Sequence, residues 1–270
     1  MRKTGTMFED TLRREGPLIC AERGLCSPAC PENSLPALEA ALAAGCDMAG
    51  LDLRFGREGE PVVFRDPDLA RMTAARGPVC GMAAASLARL QLRGGTGGTA
   101  PLAPAYLPGL PEVLAAARDR CVLILTLPST EGLGLLAVRL AAMGAAGQVA
   151  LRARLADPRS VSGFVRRVGR HGLDPVPGLD LGRTGTERAV AALIAARPAL
   201  VELNATPAQL ARAVPPLRAA GIAVMARAAR LCGRQDPDAL WTALGDSGGQ
   251  AVSSAEAGPL LRWRSDRVAA

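Results

Sequence analysis

The sequence is poor in aromatic residues, in lysine and in histidine. Phe, Trp and Tyr make up 3% of its 270 residues, so a hydrophobic core has to be built from Leu, Val, Ile and Ala. Lys3 is the only lysine and His171 the only histidine, and the net charge of +7 therefore comes from arginine. The arginines are scattered and few aromatic residues lie between them, which argues against a nucleic-acid-binding surface.

The chain also lacks segments typical of secretion or of membranes. Residues 1–16 contain no apolar core of a signal peptide, and no apolar run is long enough to span a bilayer. The seven cysteines are irregularly spaced, which is typical of reduced thiols. Cys26 and Cys30 form a poor zinc motif, because structural zinc needs four ligands. These observations predict a cytoplasmic protein without a membrane span.

What the sequence does contain is a regular alternation of strand-like and helix-like segments. Such alternation indicates parallel β/α units, and eight of them in this length favour an α/β fold of the (β/α)8 TIM-barrel type as a single domain. We expect the barrel at 17–264, an extension at 1–16 and a tail at 265–270. The predicted strands are 17–21, 48–53, 121–127, 148–155, 175–181, 199–204, 222–228 and 250–254. The predicted helices are 32–44, 83–93, 110–118, 131–143, 157–171, 186–196, 207–220, 236–244 and 256–264.

In barrels of this type, chemistry is carried out where strands end and loops begin. The residues at those positions are polar or charged at several of the predicted strand ends. They are Glu22-Arg23, 52–54, Arg65-Asp66, 126–128, Asn204, 226–229 and Ser253-Ser254.

Two spaced motifs make the chain resemble the glycerophosphodiester phosphodiesterase family. Arg23-Gly24, followed by Pro-Glu-Asn-Ser at 31–34, is similar to the family's His-Arg-Gly and Pro-Glu-Asn-Thr. Residues 45–79 follow a family stretch that contains Glu-x-Asp and His-Asp, and residues 107–117 resemble the segment before the third strand. The resemblance implies a TIM barrel that hydrolyses glycerophosphodiesters of lipid origin. It also implies two catalytic His residues and a divalent metal, Mg²⁺ or Ca²⁺, held by carboxylates.

Most residues that the resemblance would assign to catalysis are replaced in this chain. Glu22 and Arg65 stand at the two His positions. Gly50 and Thr126 stand where the family has metal-binding glutamates, so that Asp52 is the only retained metal ligand. We therefore predict no bound metal and no other cofactor.

The replacements are unsuited to the family's chemistry. General acid–base catalysis requires a group whose pKa lies near the working pH, and Arg65 cannot release its proton. Glu22 lies beside Arg23 and should have a lowered pKa, which makes it a poor acid. A hard divalent cation needs several oxygen ligands, of which Asp52 alone supplies too few. Glu22 and Arg65 are accordingly predicted to be incompetent as catalysts.

The opposite charges at these positions suggest a rebuilt site. Because unpaired buried charges are costly, we expect an ion pair between Glu22 and Arg65, and a second pair between Asp52 and either Arg23 or Arg54. The residues expected to bind a small phosphate-containing ligand are Arg23, Asp52, Arg54 and Asn33, with Arg65 as a further cation.

Three functions remain open from the sequence. The first is a catalytically degenerate family member that retains anion binding. The second is an active phosphoric diester hydrolase with an altered site, which a divalent metal bound at Asp52 would favour. The third is an interaction or scaffold protein, which a mouth filled by side chains and an apolar patch elsewhere would favour.

Overall fold

Eight parallel strands close into a barrel in the computed structural model, which describes residues 6–14, 16–228, 242 and 244–268. The strands are β1 (Leu18–Glu22), β2 (Met48–Phe55), β3 (Pro61–Val63), β4 (Gln91–Arg93), β5 (Leu102–Tyr106), β6 (Val122–Thr126), β7 (Val149–Leu155), β8 (Asp174–Asp180), β9 (Leu200–Asn204), β10 (Ala223–Ala228) and β11 (Ala251–Ser254). The barrel runs β1-β2-β6-β7-β8-β9-β10-β11 and closes on β1. The predicted single-domain (β/α)8 barrel is confirmed.

Most helices follow a barrel strand and cover the outside of the barrel, and the first helix precedes β1 and covers the barrel base. They are α1 (Met7–Leu12), α2 (Leu35–Ala43), α3 (Ala84–Leu87), α4 (Leu110–Ala117), α5 (Leu133–Ala142), α6 (Val161–Gly169), α7 (Leu181–Thr184), α8 (Thr186–Ala196), α9 (Pro207–Ala219) and α10 (Ala257–Val268). The outward-facing strand residues pack against these helices in two large apolar clusters. Helix α10 extends past the predicted end at 264 into the expected tail.

The connecting region between β2 and β6 differs most from the prediction. The helix predicted at 83–93 ends at Leu87, and Gln91–Arg93 instead pairs with β5 as an antiparallel hairpin. Tertiary packing explains the difference, because Leu92 is buried in a small core beneath this region. Pairing with β5 provides hydrogen-bond partners for the backbone there. The predicted helix at 236–244, including Trp241, lies largely outside the described residues.

The base of the barrel interior is apolar and is closed by α1. Inward-facing residues of all eight barrel strands form one cluster, and Phe8 of α1 is fully buried within it. Thr6 and Glu9 cap the start of α1 reciprocally. A segment that the sequence marks only as an extension therefore supplies part of the core.

Candidate functional site

The upper half of the barrel interior is charged, although the strands that form it are apolar at their base. Side chains in a strand alternate between the two faces, so residues two apart share a face. Glu22 lies two residues after Cys20, Arg152 two after Ala150, and Glu202 two after Leu200. Each of these strands therefore places an apolar residue at the base and a charged residue near its carboxyl end, inside the barrel mouth.

Arg152 is the centre of this charged layer. Its side chain is fully buried, with Nη1 lying 2.5 Å from Glu22 Oε1 and 2.6 Å from Glu202 Oε1. Nη2 donates to Glu22 Oε2 at 2.9 Å and to the Thr126 hydroxyl at 2.7 Å. Ser253 Oγ donates to Glu202 Oε1 at 2.9 Å. We call Arg152, Glu22, Glu202, Thr126 and Ser253 the interior network.

Glu22 and Arg152 are held firmly in their charged forms. Burial acts to raise the pKa of Glu22, but the charge and hydrogen bonds of Arg152, together with Arg154 and Arg227, outweigh it and lower the pKa to about 2. Burial acts to lower the pKa of Arg152, and Glu202 and Glu22 reverse this, so its pKa lies well above the ordinary value. Glu22 is therefore a carboxylate over the whole physiological range and cannot act as a general acid.

A second row of arginines lies above the interior network. Arg154 Nη2 is 3.5 Å from Glu22 Oε2, and its Nε is 3.8 Å from Glu202 Oε2. Arg227 is partly buried and makes no ion pair with any described residue. Burial is the main cause that lowers its pKa, and the like charge of Arg154 is the next. Arg154 and Arg227 thus lie close together, and with Arg152 they place three positive charges around the two carboxylates of Glu22 and Glu202.

A cavity of about 220 Å³ opens beside these two arginines, at the carboxyl ends of β7 to β10. Its polar lining residues are Arg154, Asp180, Arg183, Thr184, Glu202, Asn204 and Arg227. Asn204 Nδ2 donates to Asp180 Oδ2 at 2.8 Å, so both side chains are held in place. The cavity lies on the wall of the mouth opposite the Arg-Gly and Pro-Glu-Asn motifs.

The motif residues form a separate network in the loops around the mouth. Glu32 is 1% exposed and is bonded by Arg23 and by Arg71, the latter at 2.5 Å. Asn33 and Asp52 exchange two hydrogen bonds, at 3.2 Å and 2.9 Å. Arg23 Nε lies 4.0 Å from Asp52 Oδ2. We call these five residues the loop network.

The backbone of the first loop explains why its motif residues are retained. Arg23 and Asn33 both adopt left-handed conformations, with φ of 62° and 56°, and the Asn33 amide donates to the Arg23 carbonyl at 2.9 Å. A Cβ at Gly24 would lie 2.6 Å from the backbone of Ala37. Ser34 caps α2 by accepting from the Ala37 amide. These residues are needed to build the loop whether or not the site is catalytic.

The expected ion pair between Glu22 and Arg65 does not form. Glu22 points into the barrel and pairs with Arg152, whereas Arg65 follows β3, which lies outside the ring of eight strands. Arg65 is exposed and makes no ion pair with any described residue, and its carbonyl accepts from Arg54 Nη2 at 2.5 Å. The second expected pair forms between Asp52 and Arg23, at 4.0 Å.

The divalent metal that the fold family implies does not fit these residues. A Cβ at Gly50 would lie 2.6 Å from Glu22 Oε1 and 3.2 Å from Arg152 Nη2, so the ion pair fills the space that a glutamate at position 50 would need. The buried guanidinium lies between the available carboxylates and would repel a cation. Across the described part of the chain, no three His, Cys, Asp or Glu residues could jointly hold a metal.

Three residues of the charged layer, Arg152, Arg154 and Glu202, were missed by reasoning from the sequence, and Arg227 falls within the strand end at 226–229 but was given no role. The signal was present, because each is a charge within an otherwise apolar strand. A charge in such a position requires a buried partner of opposite sign. Two arginines, two residues apart at the end of "VALRAR" and facing Glu202 of "LVELN", satisfy that requirement.

Comparisons with known proteins agree with this architecture. The model of the family described as "Glycerophosphoryl diester phosphodiesterase family" matches residues 23–173, which is more than half of the chain. A putative glycerophosphoryl diester phosphodiesterase from Silicibacter pomeroyi superposes with a TM-score of 0.75 at 18% identity, covering 98% of this chain and 99% of that one. A glycerophosphodiester phosphodiesterase from Agrobacterium tumefaciens gives 0.71 at 19% identity, covering 92% and 100%.

A third similar structure carries a ligand. A phosphodiesterase from Oleispira antarctica, in complex with the product sn-glycerol-3-phosphate, gives a TM-score of 0.64 at 20% identity, covering 93% of this chain and 97% of that one. At these identities the structures establish the fold alone. No curated protein sequence matches the chain.

Proposed function

The chain belongs to the glycerophosphoryl diester phosphodiesterase family, and from this premise we propose that it is a catalytically degenerate member that binds a phosphate-type anion without hydrolysing diesters. The observation that carries the proposal is the buried Arg152 guanidinium, bonded to Glu22 and Glu202 at 2.5 and 2.6 Å. It fills the part of the mouth where the family places its catalytic groups. Among the described residues, no helix is long and apolar enough to cross a bilayer. A cytoplasmic role among lipid-derived phosphates is part of the proposal.

The groups at the two His positions support the loss of catalysis. Glu22 has a pKa of about 2 and both oxygens bonded to Arg152, so it is a weak base and holds no proton to donate. Arg65 is exposed and cannot release a proton at any useful pH. Neither group can protonate a leaving alkoxide or deprotonate an attacking hydroxyl at neutral pH.

The retained binding activity is assigned to the second row of arginines. Arg23 pairs with Glu32 and Asp52, and Arg54 donates Nη2 to the Arg65 carbonyl. Neither of these expected ligands lines the cavity beside Arg154 and Arg227. Arg227 has no ion-pair partner among the described residues, and Arg154 has only long contacts of 3.5 and 3.8 Å. An anion between them would offset their repulsion. The product bound by the Oleispira antarctica protein is a suitable probe.

The test combines turnover with binding. Hydrolysis of a glycerophosphodiester is measured with and without Mg²⁺ or Ca²⁺, and titration calorimetry measures sn-glycerol-3-phosphate binding. We expect no turnover above a Glu22→Ala, Asp52→Ala double variant. We expect Arg227→Met to weaken binding by about tenfold or more, since a charged hydrogen bond is lost. Arg170→Met, at the exposed end of α6, is the matched control and should bind normally.

The other two candidate functions give different results. Turnover clearly above the double variant would establish an active hydrolase with an altered site and overturn the proposal. Absence of both turnover and binding would overturn the anion site and favour an interaction or scaffold protein. Normal binding by Arg227→Met would show that the anion site has been assigned to the wrong residues.

A further inference from the structure

The exposed side of α6, on the flank of the barrel, carries positive charge without a compensating acid. Arg166, Arg167 and Arg170 are all exposed, and none of them forms an ion pair with any described residue. Neither α6 nor its neighbour α5 contains an acidic residue. Several exposed arginines elsewhere do have such a partner, as Arg120 has Glu39. The outer side of α6 is therefore a cationic surface that the protein itself does not neutralise.

The outer side of α5 exposes two large apolar side chains. Leu135 is 50% and Val138 is 67% exposed. Among the described residues, the other large apolar side chains of comparable exposure are Leu102 and Tyr106 on β5. Leu135 and Val138 are three residues apart and share one side of the helix, whereas Leu136 between them is buried. The two side chains therefore project together from the outside of the barrel.

Contacts between α5 and α6 bring this apolar pair beside the arginines. Arg167 Nη1 donates to the hydroxyl of Thr130, in the loop that leads into α5. A Cβ at Gly134 would lie 3.6 Å from His171 Cε1, so the end of α6 lies against the first turn of α5. The apolar pair and the arginines thus form one continuous surface. We call it the docking face, and its residues are Leu135, Val138, Arg166, Arg167 and Arg170.

We propose that the docking face binds the surface of an anionic lipid bilayer. The arginines donate to headgroup phosphates, while Leu135 and Val138 enter the boundary between headgroups and acyl chains. A bilayer matches both parts of the face, because its surface is negative and its interior is apolar. An acidic protein matches it less well, since the face lacks the tryptophan and tyrosine that anchor most protein interfaces. The docking face is separate from the anion site at the mouth and does not depend on it.

Vesicle binding by the full chain tests the proposal. The protein is mixed with vesicles of phosphatidylcholine alone, or of phosphatidylcholine with an equal part of phosphatidylglycerol, and the bound fraction is measured by flotation. We expect binding to the anionic vesicles to be at least about tenfold tighter. Added salt should weaken it, because salt screens exposed charges. Equal binding to both vesicles, or no binding to the anionic ones at low salt, would overturn the proposal.

Paired variants separate the docking face from the net charge of the protein. Arg166→Gln combined with Arg170→Gln should weaken binding to the anionic vesicles by about 20-fold. Arg76→Gln combined with Arg218→Gln removes the same charge from two exposed arginines outside α5 and α6. This control should have much less effect, since charges far from the bilayer are screened. Equal losses in the two variants would mean that net charge alone attracts the chain, and the docking face would be wrong.

The apolar pair is tested in the same way. Leu135→Ser combined with Val138→Ser should weaken vesicle binding by about tenfold or more, because the apolar contact with the acyl chains is lost. Leu102→Ser combined with Tyr106→Ser, on β5, is the matched control and should bind normally. Unchanged binding by the α5 variant would contradict insertion and therefore the proposal. The substituted residues are all exposed, so each variant should fold normally.

Two competing probes distinguish the docking face from other binding modes. Millimolar sn-glycerol-3-phosphate should leave vesicle binding unchanged, whereas release of the protein from the vesicles would assign lipid binding to the mouth. A poly-glutamate peptide tests for an acidic protein partner. If the peptide binds, the vesicles do not, and Arg166→Gln with Arg170→Gln abolishes peptide binding, the face is a protein interface and the proposal fails.

Discussion

The two charged networks at the mouth have opposite arrangements of charge. In the loop network, one buried glutamate, Glu32, is held by two arginines, Arg23 and Arg71. In the interior network, one buried arginine, Arg152, is held by two glutamates, Glu22 and Glu202. The partners of Glu32 are 15% and 32% exposed and reach water. The partners of Arg152 are 6% and 3% exposed and are almost fully excluded from water.

The difference shows which charges the fold depends on. The loop network contains the residues that the family motifs would identify, but its arginines are partly exposed and can also be hydrated by solvent. The interior network joins Glu22 and Thr126, which stand at motif positions, to Arg152 and Glu202, which motif comparison overlooks, and each of its charges depends on the others. Removing one member of a fully buried set leaves an uncompensated charge, which costs more than a shared surface ion pair contributes.

The largest effect should come from removing the central cation. Arg152→Met leaves Glu22 and Glu202 buried without their main partner, and should lower the free energy of unfolding by about 3–5 kcal/mol. Chemical denaturation measures the loss. Arg159→Met, in the exposed pair with Asp157, is the control and should change little. A loss below about 1 kcal/mol for Arg152→Met would show that the buried charges relax freely.

Acid should weaken the interior network over a defined pH window. The pKa of Glu22 is about 2 in the folded protein, against an ordinary value of 4.5. Its contribution to the free energy of unfolding is therefore complete above pH 4.5 and is lost as the pH falls towards 2. The loss should be on the order of 3 kcal/mol. Urea unfolding at a series of pH values measures it. Glu22→Gln should flatten this part of the profile, and parallel profiles for the two proteins would contradict the assignment.

Breaking the loop network should cost less and act locally. Glu32→Gln removes the shared partner of Arg23 and Arg71, which keep Asp52 and Asp66 as second partners. We expect a loss of about 1–3 kcal/mol and faster amide exchange around residues 94–98, where the Gly95 carbonyl accepts from the Glu32 amide. A larger loss than that of Arg152→Met would reverse the proposed order of the two networks.

The smallest effect should be that of divalent metals. Because Arg152 and Arg154 together already neutralise Glu22 and Glu202, millimolar Mg²⁺ or Ca²⁺ should raise the melting temperature by less than about 1 °C. A chelator should lower it by no more than that. Differential scanning calorimetry with and without EDTA makes the measurement. A clear upward shift with either metal would mean that the carboxylates are available to a cation after all.

Local sequence patterns predicted the barrel well, and the interior network poorly. Apolar strands and capped helices depend on neighbouring residues, so their alternation is visible in the sequence alone. The contact between Glu22 and Arg152 joins residues 130 positions apart, and only closure of the barrel brings them together. Motif comparison directed attention to positions 22 and 65, and Arg152 stands at neither. The hairpin at β4 and β5 was missed for a similar reason, because its pairing is set by burial of Leu92.

The closure of the barrel base by α1 has a consequence for the order of folding. Phe8 belongs to a cluster that includes Leu18 of β1 and Ala251 of β11, and Gln250 donates to the Leu12 carbonyl at 3.1 Å. The surface against which α1 packs is complete only after β11 has paired with β1. Contacts so far apart in sequence form late, since chain entropy opposes them. We therefore expect helix α1, which is synthesised before every strand, to reach its native position late in folding.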